Sequence, residues 1–236
     1  GTPTIGGLIF ITSTIVSMII MRYKLSDEAM VVMYGMLAFG LIGFLDDMLK
    51  IIHKHNEGLT SKQKFLLQLL FSVIAAWYGY TSIGTEISIP FINIQVDLGW
   101  IFIPFVMFYF VALTNAVNLT DGLDGLNTSV TIIVMIFFAI VSFGTGHKSV
   151  AVFSVALIGG LIGFLNYNRY PAKVFMGDTG SIALGGAIST ILLVLKNPLV
   201  IIIVGGIYVL ETVSVIIQVT YYKRTKKRFF KMAPIH

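Results

Sequence analysis

Long apolar runs separated by short polar connections make up most of the chain. Eight of these runs are long and apolar enough to predict helices that cross a membrane. They lie near residues 7–21, 29–46, 65–81, 100–117, 128–144, 149–166, 182–195 and 199–220. The strands of a membrane β-barrel would alternate polar and apolar residues, and these runs do not. The pattern therefore predicts an all-α polytopic integral membrane protein.

Two local patterns add detail to this prediction. Residues 86–97, between the third and fourth runs, are rich in β-branched residues and partly alternate, which predicts a small β-hairpin outside the membrane. In the sixth run Gly159 and Gly163 lie four residues apart, a spacing typical of closely packed membrane helices. No internal repeat is visible, so one integral domain over residues 1–236 is the simplest organisation.

The composition excludes the soluble classes of protein. Hydrophobic residues make up 56% of the 236 residues and charged residues only 11%, whereas a soluble domain has about 25% charged residues. A soluble enzyme with one anchor, a nucleic-acid-binding domain and a disordered chain are all excluded. The chain has no cysteine, so disulfides and thiolate metal sites are excluded as well.

The basic residues are divided unevenly between the two sides of the predicted bundle. Twelve of the 16 fall on the side that carries the connections near 47–64, 118–127 and 167–181 and the segment 221–236. These twelve are Lys50, Lys54, Lys62, Lys64, Arg169, Lys173, Lys223, Arg224, Lys226, Lys227, Arg228 and Lys231. By the positive-inside rule this side is cytoplasmic, which makes the hairpin extracytoplasmic.

Six of the 11 acidic residues share the cytoplasmic side, although membrane orientation does not require it. They are Asp46, Asp47, Glu57, Asp121, Asp124 and Asp178. If the helices bundle, carboxylates at the ends of neighbouring spans converge, and they repel one another unless a cation or basic side chains compensate. Mg²⁺ binds carboxylate oxygens together with substrate phosphates. The cluster therefore predicts a site for Mg²⁺ and phosphate.

Two acidic motifs lie at the ends of predicted spans. Asp46 and Asp47 close the second span, and Lys50 follows on the helix face of Asp46. This pattern indicates a base or a metal–phosphate anchor; a solvated helix end with a surface ion pair is the alternative. After the fourth span, Asn118, Asp121 and Asp124 recur every three residues and form one polar edge. A plain polar turn between two helices is the alternative there.

A third motif, Gly177–Ser181, directly precedes the seventh apolar run. Ser181 is placed to cap the following helix, and glycines beside a helix N-terminus let backbone amides hold a phosphate. An ordinary capped helix start is the alternative. Glu211 lies near the middle of the last predicted span, where it indicates either a functional group or a satisfied interhelical hydrogen bond.

Taken in chain order, five segments resemble one enzyme family, the polyprenyl-phosphate N-acetylhexosamine-1-phosphate transferases of glycosyltransferase family 4. They are Gly1–Gly7, Asp46–Asp47, Asn118–Gly125, Phe175–Ser181 and Phe230–His236. The last segment resembles the start of a histidine-rich loop in the branch that uses UDP-N-acetylmuramoyl-pentapeptide. The resemblance covers essentially the whole chain and implies ten spans, so a first span before Gly1 and a last one after His236 would be missing here.

The resemblance implies an enzyme that makes lipid I for bacterial peptidoglycan. Phospho-N-acetylmuramoyl-pentapeptide would pass from its UDP derivative to undecaprenyl phosphate, with release of UMP and with Mg²⁺ as cofactor. The protein would lie in the bacterial plasma membrane with its active site on the cytoplasmic face. The sequence shows no sign of a nucleic-acid partner and leaves a homodimer open.

The resemblance also implies a role for each site residue. Asp178 would bind Mg²⁺, and Asp46, with Asp47 beside it, would act as a base toward the lipid phosphate. The other site residues would be Thr2, Lys50, Lys64, Asn118, Asp121, Asp124, Asn168 and Phe175 for substrate binding and His236 for the sugar–peptide or pyrophosphate. The two lysines would neutralise phosphate charge, and the phenylalanine would stack on uracil.

Two other functions fit parts of the pattern. A UDP-N-acetylglucosamine-1-phosphate transferase for teichoic acid or other surface glycans would share the acidic motifs, but the segment Met232–His236 argues against it. A transporter or channel would place acids in the middle of the membrane and break spans in matching halves, whereas here only Glu211 is central.

Overall fold

Helices form almost all of the structure, a computed structural model that describes residues 3–21, 27–53, 58–90, 92 and 94–235. The α-helices of these residues are α1 Gly7–Ile20, α2 Asp27–His53, α3 Ser61–Tyr78, α4 Phe102–Leu119, α5 Leu126–Gly144, α6 Lys148–Asn168, α7 Gly177–Val194, α8 Ile201–Val204 and α9 Gly206–Thr225. A π turn at Gly79–Ile83 extends α3, and 3-10 turns at Gly99–Ile101 and Pro198–Val200 lead into α4 and α8. The predicted all-α membrane fold is confirmed.

The described helices differ in their ability to cross a membrane. Six are long and apolar enough, namely α2, α3 with its π turn, α4 with its 3-10 turn, α5, α6 and α7. α1 has 14 residues, or about 21 Å at 1.5 Å per residue, and is shorter than a hydrocarbon core of about 30 Å. The last predicted run is broken, because Pro198–Val204 and Gly206–Thr225 meet at an angle of 85°. It counts as a seventh span only if both pieces cross together.

The small β-hairpin is present where the sequence predicts it. Strands β1 Glu86–Ile89 and β2 Ile94–Asp97 pair antiparallel, with Glu86 opposite Asp97. The backbone N–H of Ser88 donates to the carbonyl oxygen of Lys196, just beyond the C-terminus of α7, at 2.7 Å. The hairpin therefore lies at the end of α7 opposite to Asp178, which is in its first turn.

α7 is the central helix of the bundle. Every residue from Thr179 to Val194 is buried, which requires neighbouring helices on all sides. α2 approaches it so closely that a Cβ added to Gly43 would lie 2.0 Å from the carbonyl oxygen of Asp178. The glycine of α2 therefore sets how near the two helices lie at the acidic end of the bundle.

Two predictions about helix detail are wrong. Among the residues that the structure describes, a Cβ added to Gly159 or Gly163 would meet nothing within 4 Å, so these glycines do not mediate close packing between the described helices. The neighbouring Gly160 does, because its Cβ would lie 3.1 Å from the carbonyl oxygen of Phe10 in α1. α2 also continues to His53, well past the predicted end at residue 46. Its paired aspartates are therefore about two turns inside the helix.

Candidate active site

Three carboxylates from two helices meet at one end of the bundle. Asp46 and Asp47 come from α2 and Asp178 from α7, and one oxygen of each lies within 4.8 Å of the others. Asp46 and Asp47 are buried, with 1% and 2% of their surface exposed. The side chain of Asp178 is 19% exposed. The convergence of acids that the sequence predicts is present, and this group could hold a metal ion.

Two lysine side chains lie inside this carboxylate group. The Nζ of Lys50 is 2.5 Å from Asp46 Oδ2, 3.7 Å from Asp47 Oδ1 and 3.3 Å from Asp178 Oδ2. The Nζ of Lys64, from the first turn of α3, is 2.5 Å from Asp178 Oδ2 and 3.5 Å from Asp46 Oδ1. With every group ionised, three negative charges face two positive ones. The site is therefore poised to accept a further cation, and its lysines are placed to meet anionic phosphates.

Asp47 caps the N-terminus of α7. Its Oδ2 accepts the backbone N–H of Thr179 at 2.8 Å and the Thr179 hydroxyl at 2.7 Å, and its Oδ1 accepts the N–H of Asp178 at 3.3 Å. A carboxylate at this position satisfies otherwise unpaired amides and faces the positive end of the helix dipole. The predicted cap at Ser181 is wrong, because α7 begins four residues earlier at Gly177.

Gly177 makes this helix start possible. Its φ of +72° is in the left-handed region, and an added Cβ would lie 1.9 Å from the carbonyl oxygen of Thr4. Only glycine fits such a position without strain. The adjacent backbone is tied down as well, since Gly7 donates its N–H to the carbonyl oxygen of Met176 at 2.9 Å. The N-terminal segment therefore forms one wall beside the acidic cluster.

The other two cluster residues are held by polar contacts. Asp46 Oδ1 accepts the backbone N–H of Leu59 at 2.8 Å, which fixes the segment just before α3. Asn118, at the end of α4, donates from Nδ2 to Asp178 Oδ1 at 2.9 Å and to the hydroxyl of Ser181 at 2.8 Å. Asp178 is thus oriented by α4 on one side and by the lysines on the other.

A cavity of about 560 Å³ opens beside the cluster. Its walls are Thr4, Asp47, Lys50, Ile51, Asp121, Gly122, Leu123, Asp124, Asn168, Phe175, Gly177 and Asp178. Seven of the predicted site residues are among them. Three others, Asp46, Lys64 and Asn118, stand behind this wall in contact with Asp178 or its lysine partners. Thr2 and His236 lie outside the described residues.

The far wall is built by the segment that follows α6. Asn168 accepts the hydroxyl of Thr128 at 2.7 Å and donates to the carbonyl oxygen of Val174 at 3.0 Å. Asp124 Oδ2 accepts the backbone N–H of Ala172 at 2.8 Å. Both side chains therefore shape this wall directly, and their predicted contacts with substrate remain predictions. Phe175 is 40% exposed and lines the cavity, as a stacking surface requires.

Asp121 is a cavity residue whose pKa is strongly raised. Burial, followed by the negative charges of Asp178 and Asp47, raises the pKa of Asp121 to about 7. This residue lies in the turn between α4 and α5. A cation bound at the carboxylates would oppose these causes and favour the ionised form.

Some wall residues carry no distinctive sequence signal. Ile51 and Leu123 are ordinary apolar residues, and their place in the cavity follows only from the course of α2 and of the α4–α5 turn. Thr179 is not a wall residue, but it bonds to Asp47 and lies inside the Gly177–Ser181 motif. The Asp-Thr pair could have indicated that a partner carboxylate caps the helix there.

Comparison with known proteins identifies one matching family and several similar proteins. A family model for glycosyl transferase family 4 matches residues 29–196. A phospho-N-acetylmuramoyl-pentapeptide-transferase of Clostridium botulinum (strain Eklund 17B / Type B) is 66% identical over 236 residues, which cover all of this chain and 73% of that relative. Proteins with the same name from Clostridium perfringens (strain 13 / Type A) and Clostridium acetobutylicum are 60% and 58% identical. They too match the whole chain, which covers 74% and 75% of their lengths.

Proposed function

The chain belongs to glycosyl transferase family 4 and is a relative of its phospho-N-acetylmuramoyl-pentapeptide-transferases, and from this premise we propose that its acidic cavity is where the transfer takes place. The substrates are UDP-N-acetylmuramoyl-pentapeptide and undecaprenyl phosphate, and the products are lipid I and UMP. The single observation that carries the assignment is the meeting of three carboxylates and two lysines at the wall of one cavity.

The reaction is a displacement at phosphorus. An oxygen of the lipid phosphate forms a bond to the β-phosphorus of the UDP-sugar, and the bond from that phosphorus to the bridging oxygen breaks. UMP leaves with the electron pair. The lipid phosphate is already anionic, so a direct displacement needs little activation of the nucleophile. The protein's main task is to bring two anions together and to offset their charge.

Lys50 and Lys64 are the groups that offset this charge. Their ammonium groups are held within 4 Å of the cluster carboxylates, so neither has to be ordered when a phosphate arrives. Lys50 also lines the cavity and is placed for direct contact with a phosphate oxygen. Lys64 lies behind Asp178, and its positive charge offsets the negative charge of that carboxylate.

Asp178 is the carboxylate that fits the Mg²⁺-binding role best. It lines the cavity and is the most exposed of the three, whereas Asp47 is occupied by the start of α7. Its oxygens are the hard ligands that Mg²⁺ prefers. When bound, Mg²⁺ neutralises charge on the phosphates and acts as a Lewis acid.

Asp46 is placed to hold the two lysines. It contacts both of them and the backbone of Leu59, and it does not line the cavity. Asp46 Oδ2 is in contact with Lys50, so its proposed contribution as a base requires Lys50 to move away from that oxygen.

The site faces the cytoplasm in our proposal, because the basic residues favour that side.

One assay tests the function, the metal and the orientation together. Sealed inverted membrane vesicles with the full-length protein receive UDP-N-acetylmuramoyl-pentapeptide or UDP-N-acetylglucosamine, each with undecaprenyl phosphate in the membrane. We expect UMP and lipid I only from the muramoyl substrate, loss of both with EDTA, and recovery with added Mg²⁺. UMP release from the glucosamine substrate would contradict the specificity, and full activity in EDTA would contradict the metal. Equal activity in sealed right-side-out vesicles would contradict the orientation.

A further inference from the structure

The chain beyond α9 turns back along that helix. α9 ends at Thr225, and Lys226 adopts a left-handed conformation with φ of +56° that reverses the direction. The backbone N–H groups of Phe229 and Phe230 then donate to Oε1 of Gln218 at 3.1 and 2.9 Å. Further on, the N–H of Ile235 donates to Oε2 of Glu211 at 2.8 Å. Residues 229–235, here called the tail, thus contact α9 at two separate points.

The spacing of the two acceptors matches the course of the tail. Glu211 and Gln218 are seven residues apart, so they lie on one face of α9 about 10.5 Å apart along its axis. The five residue steps from Phe230 to Ile235 reach at most about 17 Å when extended, which is enough to span this distance. The tail therefore runs antiparallel to α9 between its two attachment points.

The chemistry of the contacts is that of a docking site for backbone. The tail is outside any helix or strand, so its amides need partners from elsewhere. Glu211 is only 6% exposed, and a buried carboxylate is costly unless it accepts hydrogen bonds. A ring contact strengthens the attachment at Gln218, since Tyr221 and Phe229 pack edge to face with centroids 5.4 Å apart. Docking therefore gives hydrogen bonds to the amides of the tail and to the buried carboxylate of Glu211.

We propose that Glu211 and Gln218 are positioning residues, and that they dock by its backbone the tail that directly precedes His236 in the sequence. The docking itself stands on the contacts above. Its consequence for catalysis rests on the proposed function, in which His236 meets the substrate. Glu211 then fixes the segment that leads to His236, the residue that meets the substrate in the proposed function.

The 236 residues contain no cysteine, and any cysteine elsewhere in the full-length protein is replaced by serine before labelling. In the full-length protein, spin labels are attached to Met232→Cys in the tail and Ile140→Cys in α5, both of them exposed positions. Pulsed electron resonance then measures the distance between them. We expect one narrow distance distribution in the parent protein. Loss of an acceptor in Glu211→Leu or Gln218→Leu should raise the ratio of undocked to docked tail about tenfold to a hundredfold and broaden the distribution.

Conservative variants separate docking from general damage. Glu211→Gln and Gln218→Glu keep an acceptor oxygen at the same place, and we expect both to keep the narrow distribution. Thr212→Val on the same helix is the matched control, because the Thr212 hydroxyl donates within α9, to the carbonyl oxygen of Tyr208 at 2.9 Å. A narrow distribution in both leucine variants, or a broad one in Glu211→Gln, would overturn the docking.

UMP release in unlabelled variants tests the catalytic consequence separately. We expect kcat to fall about tenfold or more in Glu211→Leu, to recover in Glu211→Gln and to be unchanged in Thr212→Val. A disordered tail with unchanged kcat would overturn the positioning role. Absence of UMP release from the parent protein would instead overturn the proposed function, and the distance measurement would still test the docking.

Discussion

Asp47 and Asp178 show how neighbouring carboxylates take different tasks. Asp47 uses both oxygens to hold the first amides of α7 and the hydroxyl of Thr179. Asp178 lies in the first turn of the helix that Asp47 caps. It faces the cavity and contacts Lys50, Lys64 and Asn118. One acid therefore builds the helix start that presents the other. The same residue type has a structural task in α2 and, in the proposed function, a chemical one in α7.

The ionisation of Asp121 should make Mg²⁺ binding at the carboxylate cluster depend on pH. Its raised pKa of about 7 has burial as the main cause, with the charges of Asp178 and Asp47 second. Mg²⁺ at the cluster would oppose those two charges and lower this pKa, so Mg²⁺ binding should release a proton from Asp121 below about pH 7. The apparent Mg²⁺ affinity should then strengthen as pH rises toward 7 and level off above it, because Asp121 is already ionised there.

The Mg²⁺ concentration for half-maximal UMP release, measured from pH 5.5 to 8.5, checks this linkage. In Asp121→Asn no proton can be released, so we expect a flatter dependence below pH 7. Asp27→Asn, an exposed acid at the other end of α2, is the control and should behave as the parent protein. The same slope in Asp121→Asn and the parent would show that another group titrates.

At the scale of elements, the approach of α2 to α7 decides whether the site forms. The methyl group of Gly43→Ala would have to push the helices apart, because it would lie 2.0 Å from the carbonyl oxygen of Asp178. We expect a loss of about 1–3 kcal/mol in the free energy of unfolding and a large loss of UMP release. Gly163→Ala is the matched control, since its methyl group meets nothing within 4 Å. Thermal unfolding in detergent measures both, and equal melting temperatures would contradict the close approach.

The sequence predicts elements well where one signal dominates. Apolar runs mark the helices, and the alternating segment 86–97 marks the hairpin, because hydrophobic burial and strand pairing depend on local pattern. The 85° break in the last run depends on how the pieces pack, although the pair Gly205-Gly206 marks where it occurs. The extension of α2 past residue 46 is stabilised by tertiary ion pairs that hydropathy does not register.

The site was predictable as a set of residues and less so as an arrangement. The motifs with Asp and Asn residues identify the side chains that come together at the site. Each motif places an acid or an amide where a plain connection between helices does not require one. Which carboxylate caps a helix and which lines the cavity depends on the packing of α2 against α7, which no single motif contains. The same holds for Glu211, whose partner is a backbone amide of the distant tail.

At the scale of the whole molecule, scarce charge is concentrated at one end of an apolar bundle. The late part of α2, the start of α3, the end of α4 and the start of α7 share that end, and the hairpin occupies the other. This division suits an enzyme that transfers a phospho-sugar from a water-soluble nucleotide to a lipid. In the proposed function the lipid substrate would keep its hydrocarbon in the membrane, and its phosphate would reach the carboxylates and lysines at the surface.

The most direct test of the cavity as the site of transfer is the rate of UMP release by Asp178→Asn in the full-length protein. This change keeps the shape of the side chain and an oxygen for Asn118, but it removes the charge that faces the cavity and both lysines. With saturating substrates and Mg²⁺, we predict a fall of at least about a hundredfold, with Asp27→Asn unchanged and all proteins equally folded. Turnover by Asp178→Asn within a few-fold of the parent would contradict the assignment of catalysis to this cluster.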